Sequence, residues 1–376
     1  MPLIIPFFLM NRGCPHRCSF CNERLSAGNR PERISDAAFS ATVRAHLESA
    51  CIGRKRQTRD PVQIAFYGGT FTGMEREEQR RLLGLAAPFL REGKVDGIRV
   101  STRPDGIDAG CLDLLRSSGV TTVEVGAQSL DDEVLLRSRR GHTAADTVRA
   151  LNMLKDRDFK TGLHLMAGLP GDSPDRFAET IVRVIALHPD MVRIHPTIVL
   201  RDTPLAEAFR EGNYIPLGLA EAVDLCKNAL KKLTSAGIPV IRLGLQTTKE
   251  LEEPEAVVAG PFHPAFRTLV EAALFLEMAA ALLEPTGPED GFPAILPAEK
   301  GAGGLTVHFV LSPADVSNFC GRRRENIVTL KRRFHLEDIR IATDPALPRH
   351  TLVRTDGKRR LQTDLSGQIR YLPFSR

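Results

Sequence analysis

Short β-rich apolar runs alternate with amphipathic stretches along most of the chain. Strands are expected at Leu3 to Leu9, Val62 to Phe66, Ile98 to Ser101, Thr121 to Gly126, Thr161 to Ala167, Met191 to His195 and Val240 to Leu243. Between them, apolar residues recur at helical spacing over Asp36 to Cys51, Glu75 to Arg91, Gly110 to Ser118, Thr143 to Asp156, Pro174 to Leu187 and Leu219 to Ser235. This alternation predicts an α/β fold with a parallel sheet and right-handed crossovers, either doubly wound or closed towards a barrel. Several strands run into polar or glycine-containing turns: Tyr67-Gly68-Gly69-Thr70, Ser101-Thr102-Arg103-Pro104-Asp105, Gly126-Ala127-Gln128-Ser129 and Gly168-Leu169-Pro170-Gly171-Asp172. Such turns share one rim of a parallel sheet, the rim where ligands bind.

After Thr247 the rhythm breaks. Lys249 to Pro254 reads as a solvated connection, residues 265–284 as one long apolar-faced helix, and Glu284 to Gly304 as a linker rich in Pro, Gly and Glu. A strand at Leu305 to Leu311 then opens a small second unit. The expected organisation is a barrel-like domain over 1–246, a helical extension and linker over 247–304, and a basic α+β unit over 305–376.

At 376 residues, with 42% hydrophobic and 26% charged residues, the chain is ordinary globular material, and no apolar run is long enough to span a membrane. The apolar N-terminus has no basic leader or cleavage site and reads as a first strand. A soluble, cytoplasmic protein is expected. Net charge is +5, yet Cys320 to Arg376 holds 14 Lys and Arg against 6 Asp and Glu, which leaves residues 1–319 net negative. The basic character is concentrated in Gly321-Arg322-Arg323-Arg324, Lys331-Arg332-Arg333 and Lys358-Arg359-Arg360.

Three of the seven cysteines fall in Cys14-Pro15-His16-Arg17-Cys18-Ser19-Phe20-Cys21. An odd count and this clustering favour metal or redox chemistry over disulfides. Thiolates suit zinc or iron–sulfur clusters. A structural zinc site wants four closed ligands, and His16 would have to fold back to be the fourth, whereas three cysteines can hold three corners of a cubane. Cys51, Cys111, Cys226 and Cys320 have no partner at ligand spacing and read as inert thiols.

The Cys-x3-Cys-x2-Cys loop after a first strand, followed by Tyr67-Gly68-Gly69-Thr70-Phe71 after the second, resembles the radical S-adenosylmethionine superfamily. The resemblance implies a partial parallel (β/α) barrel. It implies a [4Fe-4S] cluster on Cys14, Cys18 and Cys21, with S-adenosylmethionine on the open iron, cleaved to a 5′-deoxyadenosyl radical. It also implies an electron donor such as a flavodoxin or ferredoxin. Gly68, Gly69 and Thr70 would then lie against the methionine amine. Val123 to Ser129 resembles a cofactor-contacting segment of the branch that holds the Elongator catalytic subunit and the oxygen-independent coproporphyrinogen enzymes. By that likeness Arg140 (with Arg139 competing) meets the methionine carboxylate, and Glu124 and Gln128 face the ribose or amino acid moiety. His164 points to the same rim, as do Ser101 and Arg103, and each has an ordinary structural reading beside the functional one.

Residues 1–246 resemble the bacterial Elongator-type radical domain, including Arg193-Ile194-His195-Pro196-Thr197 and Gly212-Asn213-Tyr214, but neither an acetyltransferase domain nor a cysteine-rich zinc segment is found after it. The tail's β-α-turn-α-β order resembles a KH-type RNA module, with Arg324 where the second loop glycine would stand. Arg322, Arg323, Arg324, Lys331, Arg332 and Arg333 are candidates for RNA backbone contact, since basic patches bind phosphate by counterion release. The expected activity is radical modification of RNA, tRNA above all. The alternatives are a radical enzyme on a small anionic metabolite such as a porphyrin-like acid, and a non-catalytic protein that binds the cluster and S-adenosylmethionine.

Overall fold

Strand alternation separates an apolar face from a polar one, and that separation organises the first unit. The computed structural model describes residues 2–28, 33–52, 61–284, 305–356 and 359–372, so the linker expected over 284–304 and Lys358 fall largely outside the described residues. Strands β1 (Leu3–Phe8), β2 (Val62–Tyr67), β3 (Gly97–Thr102), β4 (Val120–Gln128), β5 (Lys160–Ala167), β6 (Met191–Pro196), the two-residue β7 (Val199–Leu200) and β8 (Val240–Leu243) follow one another along the chain. Seven of them form one sheet in the order β1-β2-β3-β4-β5-β6-β8, with every pairing parallel.

Helices α1 (Glu23–Ala27), α2 (Asp36–Ile52), α3 (Arg76–Arg91), α4 (Ala109–Ser117), α5 (Asp132–Arg137), α6 (Ala144–Lys155), α7 (Pro174–Leu187) and α8 (Pro204–Arg210) lie in the connections. Their starts are encoded locally. Asp108 caps α4, Thr143 and Asp146 form a capping box on α6, and Ser173 caps α7 with Pro174 in its first turn. The apolar strand face carries Ile5, Ile64, Phe66, Ile98, Val100, Val123, Val125, Leu163, Leu165, Val192 and Ile194, all buried. On it Phe39 of α2 stacks 4.3 Å from Phe7 and lies 6.2 Å from Phe66.

The other face is polar, and its bonds reveal the curvature. Arg193 Nη2 on β6 donates to Tyr67 Oη on β2 at 2.8 Å. Four strand spacings of a flat sheet would separate those strands by about 19 Å, further than the two side chains reach. The sheet is therefore curled into the partial parallel (β/α) barrel expected from the sequence, with the polar face inside.

Two compact units result: residues 1–219 with 238–264, and residues 220–237 with 265–376. This division departs from the expected boundaries at 246 and 304. Helix α9 (Leu219–Ser235) falls almost wholly in the second unit, where Lys227 and Lys231 pair with Glu277 of α10 (Phe266–Leu283). Lys249 to Pro254 is not a plain solvated connection either. Leu251 is buried with Leu25, Ile198, Leu200 and Ala256, Thr248 Oγ1 donates to Leu25 O at 2.6 Å, and β9 (Val257–Ala259) pairs antiparallel with β7.

The second unit holds the expected β-α-turn-α-β order as β10 (Leu305–Leu311), α11 (Val316–Cys320), α12 (Glu325–Arg333) and β11 (Leu336–Thr343), and adds β12 (Leu352–Thr355), β13 (Arg360–Thr363) and β14 (Ile369–Leu372). Its sheet runs β11-β10-β12-β13-β14, with β10 and β11 parallel and the rest antiparallel. Glu271 of α10 is buried and accepts from Arg267 Nε at 2.7 Å and Arg349 Nη2 at 3.2 Å. Burial opposes its charge, but the nearby His350 ring and the Arg267 guanidinium prevail and hold its carboxyl at about 2. An unfolded glutamate titrates near ~4.3, so this contribution is full above that pH and is lost as pH falls through about 2. Glu271→Gln should therefore lower the urea midpoint at neutral pH and flatten the loss of stability between about pH 4 and pH 2.

Candidate functional site

The cysteine loop leaves β1 through left-handed backbone at Met10 (φ 42°), Asn11 (φ 59°) and Gly13 (φ 72°). It interlocks with the turn after β2. Thr70 N donates to Arg12 O at 2.8 Å, a Cβ on Gly69 (φ 58°) would stand 2.4 Å from Arg12 O, and one on Gly13 would stand 2.2 Å from Thr70 O. Only glycine permits that approach in that conformation. The Glu23 carboxylate closes the lock by accepting from Asn11 N and from Gly69 N; burial raises its pKa despite these two bonds. Ser19 ties the loop to the rest of the rim, donating from N to Ser138 O at 3.1 Å and accepting from Leu205 N at 2.8 Å.

The three thiols stand around this loop in different surroundings. Cys14 Sγ lies 3.2 Å from Thr70 Oγ1, Cys18 Sγ accepts from Arg140 Nη1 at 2.9 Å, and Cys21 Sγ lies 3.9 Å from Asn11 Oδ1. Burial, with Glu23 adding its negative charge, pushes the Cys14 and Cys21 thiols up, so they call for positive charge to become ligands. Among the described residues no three His, Cys, Asp or Glu side chains converge on a point that one metal ion could fill. A cubane presents a different iron to each thiolate and asks for separated thiols.

Beneath the loop, the concave face holds a buried ion-pair network. Glu124 of β4 accepts from Arg99 Nη1 at 2.7 Å, from Tyr67 Oη at 3.2 Å, and contacts Arg193 Nε at 2.5 Å. Gln63 Oε1 takes Arg99 Nη2 at 2.8 Å. Burial opposes the Glu124 charge, yet Arg193 and Arg99 hold its pKa below the ordinary carboxylate value. Further along the face His164 Nε2 and His195 Nδ1 stand 3.1 Å apart with their rings edge to face. Burial, reinforced by the Arg193 charge, brings His164 down to about 4, so it is neutral at pH 7.

The sequence matches the Radical SAM superfamily over residues 8–184 and the Radical_SAM C-terminal domain over residues 189–275. The chain belongs to the radical S-adenosylmethionine (SAM) superfamily. It is 27% identical over 251 residues to the tRNA uridine(34) acetyltransferase of Methanocaldococcus infernus, covering 57% of this chain and 47% of that protein. It is 31% identical over 191 residues to Elongator complex protein 3 of Homo sapiens, covering 46% of this chain and 35% of that one. These relatives place it in the Elongator-like branch of radical SAM proteins, although the chain spans only about half the length of the acetyltransferases it matches. The solved structure of archaeal M. infernus Elp3 with an N-terminal deletion (1-46) shares the fold, with a TM-score of 0.55 and 23% identity over 73% of this chain and 62% of that one.

A radical SAM protein uses a [4Fe-4S] cluster and S-adenosylmethionine, and the residues around the cysteine loop fit these groups. Gln128 Oε1, Arg140 Nε and Arg103 Nη1 are buried with no hydrogen-bond partner among the described residues, the condition of polar atoms that a ligand completes. The structure brings Cys14, Cys18, Cys21, Gly68, Gly69, Thr70 and Arg140 to one rim, with Gln128 (φ 67°) at the bulged end of β4. Arg139 is exposed to solvent, while Arg140 is buried and also donates to Gly126 O at 2.6 Å. Glu124 sits deeper, bound by its arginines, and His164 is paired with His195. Arg103 is buried against Asp105, with both carboxylate oxygens accepting at 2.9 Å.

Glu23, Arg99, Arg193, Arg242 and His195 were not expected as site residues. The signal for three of them was a charged or imidazole residue alternating with apolar ones, as in Ile98-Arg99-Val100 and Val192-Arg193-Ile194-His195. In the second unit Arg322, Arg323, Arg324 and Arg332 are exposed, whereas Lys331 lies 3.8 Å from Asp338 and Arg333 2.7 Å from Glu284. Arg323 (φ 50°) and Arg324 (φ 62°) are left-handed, so Arg324 occupies the conformation that a second loop glycine would take.

Glu124→Gln leaves two buried guanidiniums without their carboxylate and should destabilise the first unit by about 3–5 kcal/mol, read as a lower urea midpoint. Gly69→Ala should prevent cluster retention at unchanged cysteine content, measured as iron per chain after anaerobic reconstitution.

Proposed function

We propose that this radical SAM protein modifies RNA, with tRNA as its substrate. What carries the reading is the match of its barrel to proteins named tRNA uridine(34) acetyltransferase and Elongator complex protein 3. The exposed arginine loop at 322–324 supports it, because guanidiniums free of acidic partners among the described residues neutralise backbone phosphate. Cys14, Cys18 and Cys21 would hold the cluster, which would supply one-electron chemistry for the reductive cleavage of S-adenosylmethionine, while the protein supplies position and shielding.

The chain's own residues divide that work. Gly68, Gly69 and Thr70 offer a turn without bulky side chains to the methionine amine. Arg140 offers a guanidinium to the methionine carboxylate, for which it is a bidentate partner. Gln128 offers its orphaned Oε1 to the ribose hydroxyls. Glu124 holds the concave face in shape through Arg99 and Arg193, and His164, neutral at pH 7, offers an imidazole to the substrate side of the rim. A flavodoxin or ferredoxin type donor delivers the electron.

A radical enzyme on a small anionic metabolite is the second reading, favoured by the cationic concave face. Anaerobically reconstituted protein should form 5′-deoxyadenosine with S-adenosylmethionine and reductant, and bulk tRNA should raise the rate; indifference to tRNA would move the search to small acids, and no cleavage by a loaded protein would leave a binding role. Cys14→Ala, Cys18→Ala and Cys21→Ala should each lose the cluster, and normal iron content with turnover in any of them would refute the central assignment. Replacing Arg322, Arg323 and Arg324 together by Ala should weaken tRNA binding and lessen its salt dependence while sparing cofactor cleavage.

A further inference from the structure

The concave face carries more positive charge than its own acids neutralise. Arg99, Arg193 and Arg242 stand on β3, β6 and β8, and Arg193 and Arg242 are direct register partners. Among the described residues the one carboxylate facing them is Glu124, whose oxygens are engaged by Arg99 at 2.7 Å, Arg193 at 2.5 Å and Tyr67 at 3.2 Å. Arg242 makes a single long hydrogen bond, from Nε to Gly244 O at 3.4 Å, which leaves both terminal nitrogens without a partner among the described residues. His195 Nε2 is buried and likewise without a partner. Burial, then the charge of Arg193, lowers the Arg242 pKa, and burial and the neighbouring cations do the same to His164 and His195.

An uncompensated guanidinium beside a like charge in a partly enclosed space is costly, and an incoming anion relieves that cost. The ammonium and carboxylate of S-adenosylmethionine have their own candidate partners at the cysteine loop and Arg140, so the cation excess deeper in the barrel is left for something else. We propose that Arg193, Arg242 and His195 Nε2 form a seat for an oxyanion of the substrate, a phosphate or a carboxylate, on the concave face. This rests on the reading of that face as the place where the substrate is held. Arg242 gives the two free guanidinium nitrogens, and the neutral imidazole gives an N–H. The seat fixes the substrate by its anion and leaves the reacting carbon to face the cysteine loop.

Phenylglyoxal labelling of the reconstituted holoprotein, mapped by mass spectrometry, tests this without turnover. Inorganic phosphate or acetate should protect Arg242 where chloride at matched ionic strength does not. Protection by phosphate alone identifies a phosphoryl group, as a nucleotide substrate would carry; protection by acetate identifies a carboxylate, as a small acid would carry. In a background with Arg322, Arg323 and Arg324 changed to Ala, Arg242→Gln should weaken calorimetric binding of the protecting anion about tenfold or more. The seat is refuted if chloride protects equally, or if Arg242→Gln, folded with an unchanged melting temperature, binds the anion as the parent does. tRNA-stimulated cofactor cleavage together with an unprotected Arg242 would sink the seat and leave the RNA reading standing. Anion protection with cleavage indifferent to tRNA would do the reverse.

Discussion

A carboxylate held between two guanidiniums holds the sheet in its curl. Glu124 on β4 meets Arg99 from the adjacent strand and Arg193 from two strands away, and Arg193 continues to Tyr67 on β2. Such a bridge forms only when the sheet bends, because the side chains of a flat sheet stand parallel and apart. In the low-dielectric interior the bridge is also hard to open, since freeing any one partner strands the other charges. Apolar packing outside and ionic bridging inside thus act on the same sheet, and together they select a curved sheet over a flat doubly wound one.

Curvature gathers the strand ends. The cysteine loop follows β1, the Gly68–Gly69 turn follows β2, Arg103 follows β3, Gln128 ends β4 and Arg140 comes after it, so a bent sheet brings four strand ends to one rim. The loop itself is not long enough to choose a shape independently. Its conformation is imposed by the interlock of Gly13 and Gly69 with opposing carbonyls and by Glu23 across the two backbone N–H groups. Backbone contacts, not side-chain packing alone, therefore fix where the three thiols stand along the rim.

Much of this was legible in the amino-acid order. The parallel sheet follows from apolar runs separated by helical periodicity, and the cysteine spacing announced iron–sulfur chemistry. The partners of Glu124 were harder to read, because a charged residue in an apolar strand shows only that something compensates it, not which strand provides the compensation. The short helices α1, α5 and α8 were missed because five to seven residues give too little periodicity. Strands β12, β13 and β14 were missed as short runs beyond a recognised pattern. The placement of α9 was hidden because its partner Glu277 is remote in sequence.

The arginine loop shows how the second unit differs in kind from the first. Where a glycine would relax the turn, Arg324 accepts a left-handed φ of 62° next to Arg323 at 50°, a conformation that costs roughly 1–2 kcal/mol per residue for an L side chain. Exposed arginines gain no packing to offset this, since neither side chain is buried. In the barrel, strained backbone at Met10 and Asn11 shapes the loop that holds the thiols; in the second unit strained backbone presents consecutive guanidiniums to solvent. Positive charge is thus presented in two ways, buried among strands on the concave face of the first unit and exposed on a strained turn in the second.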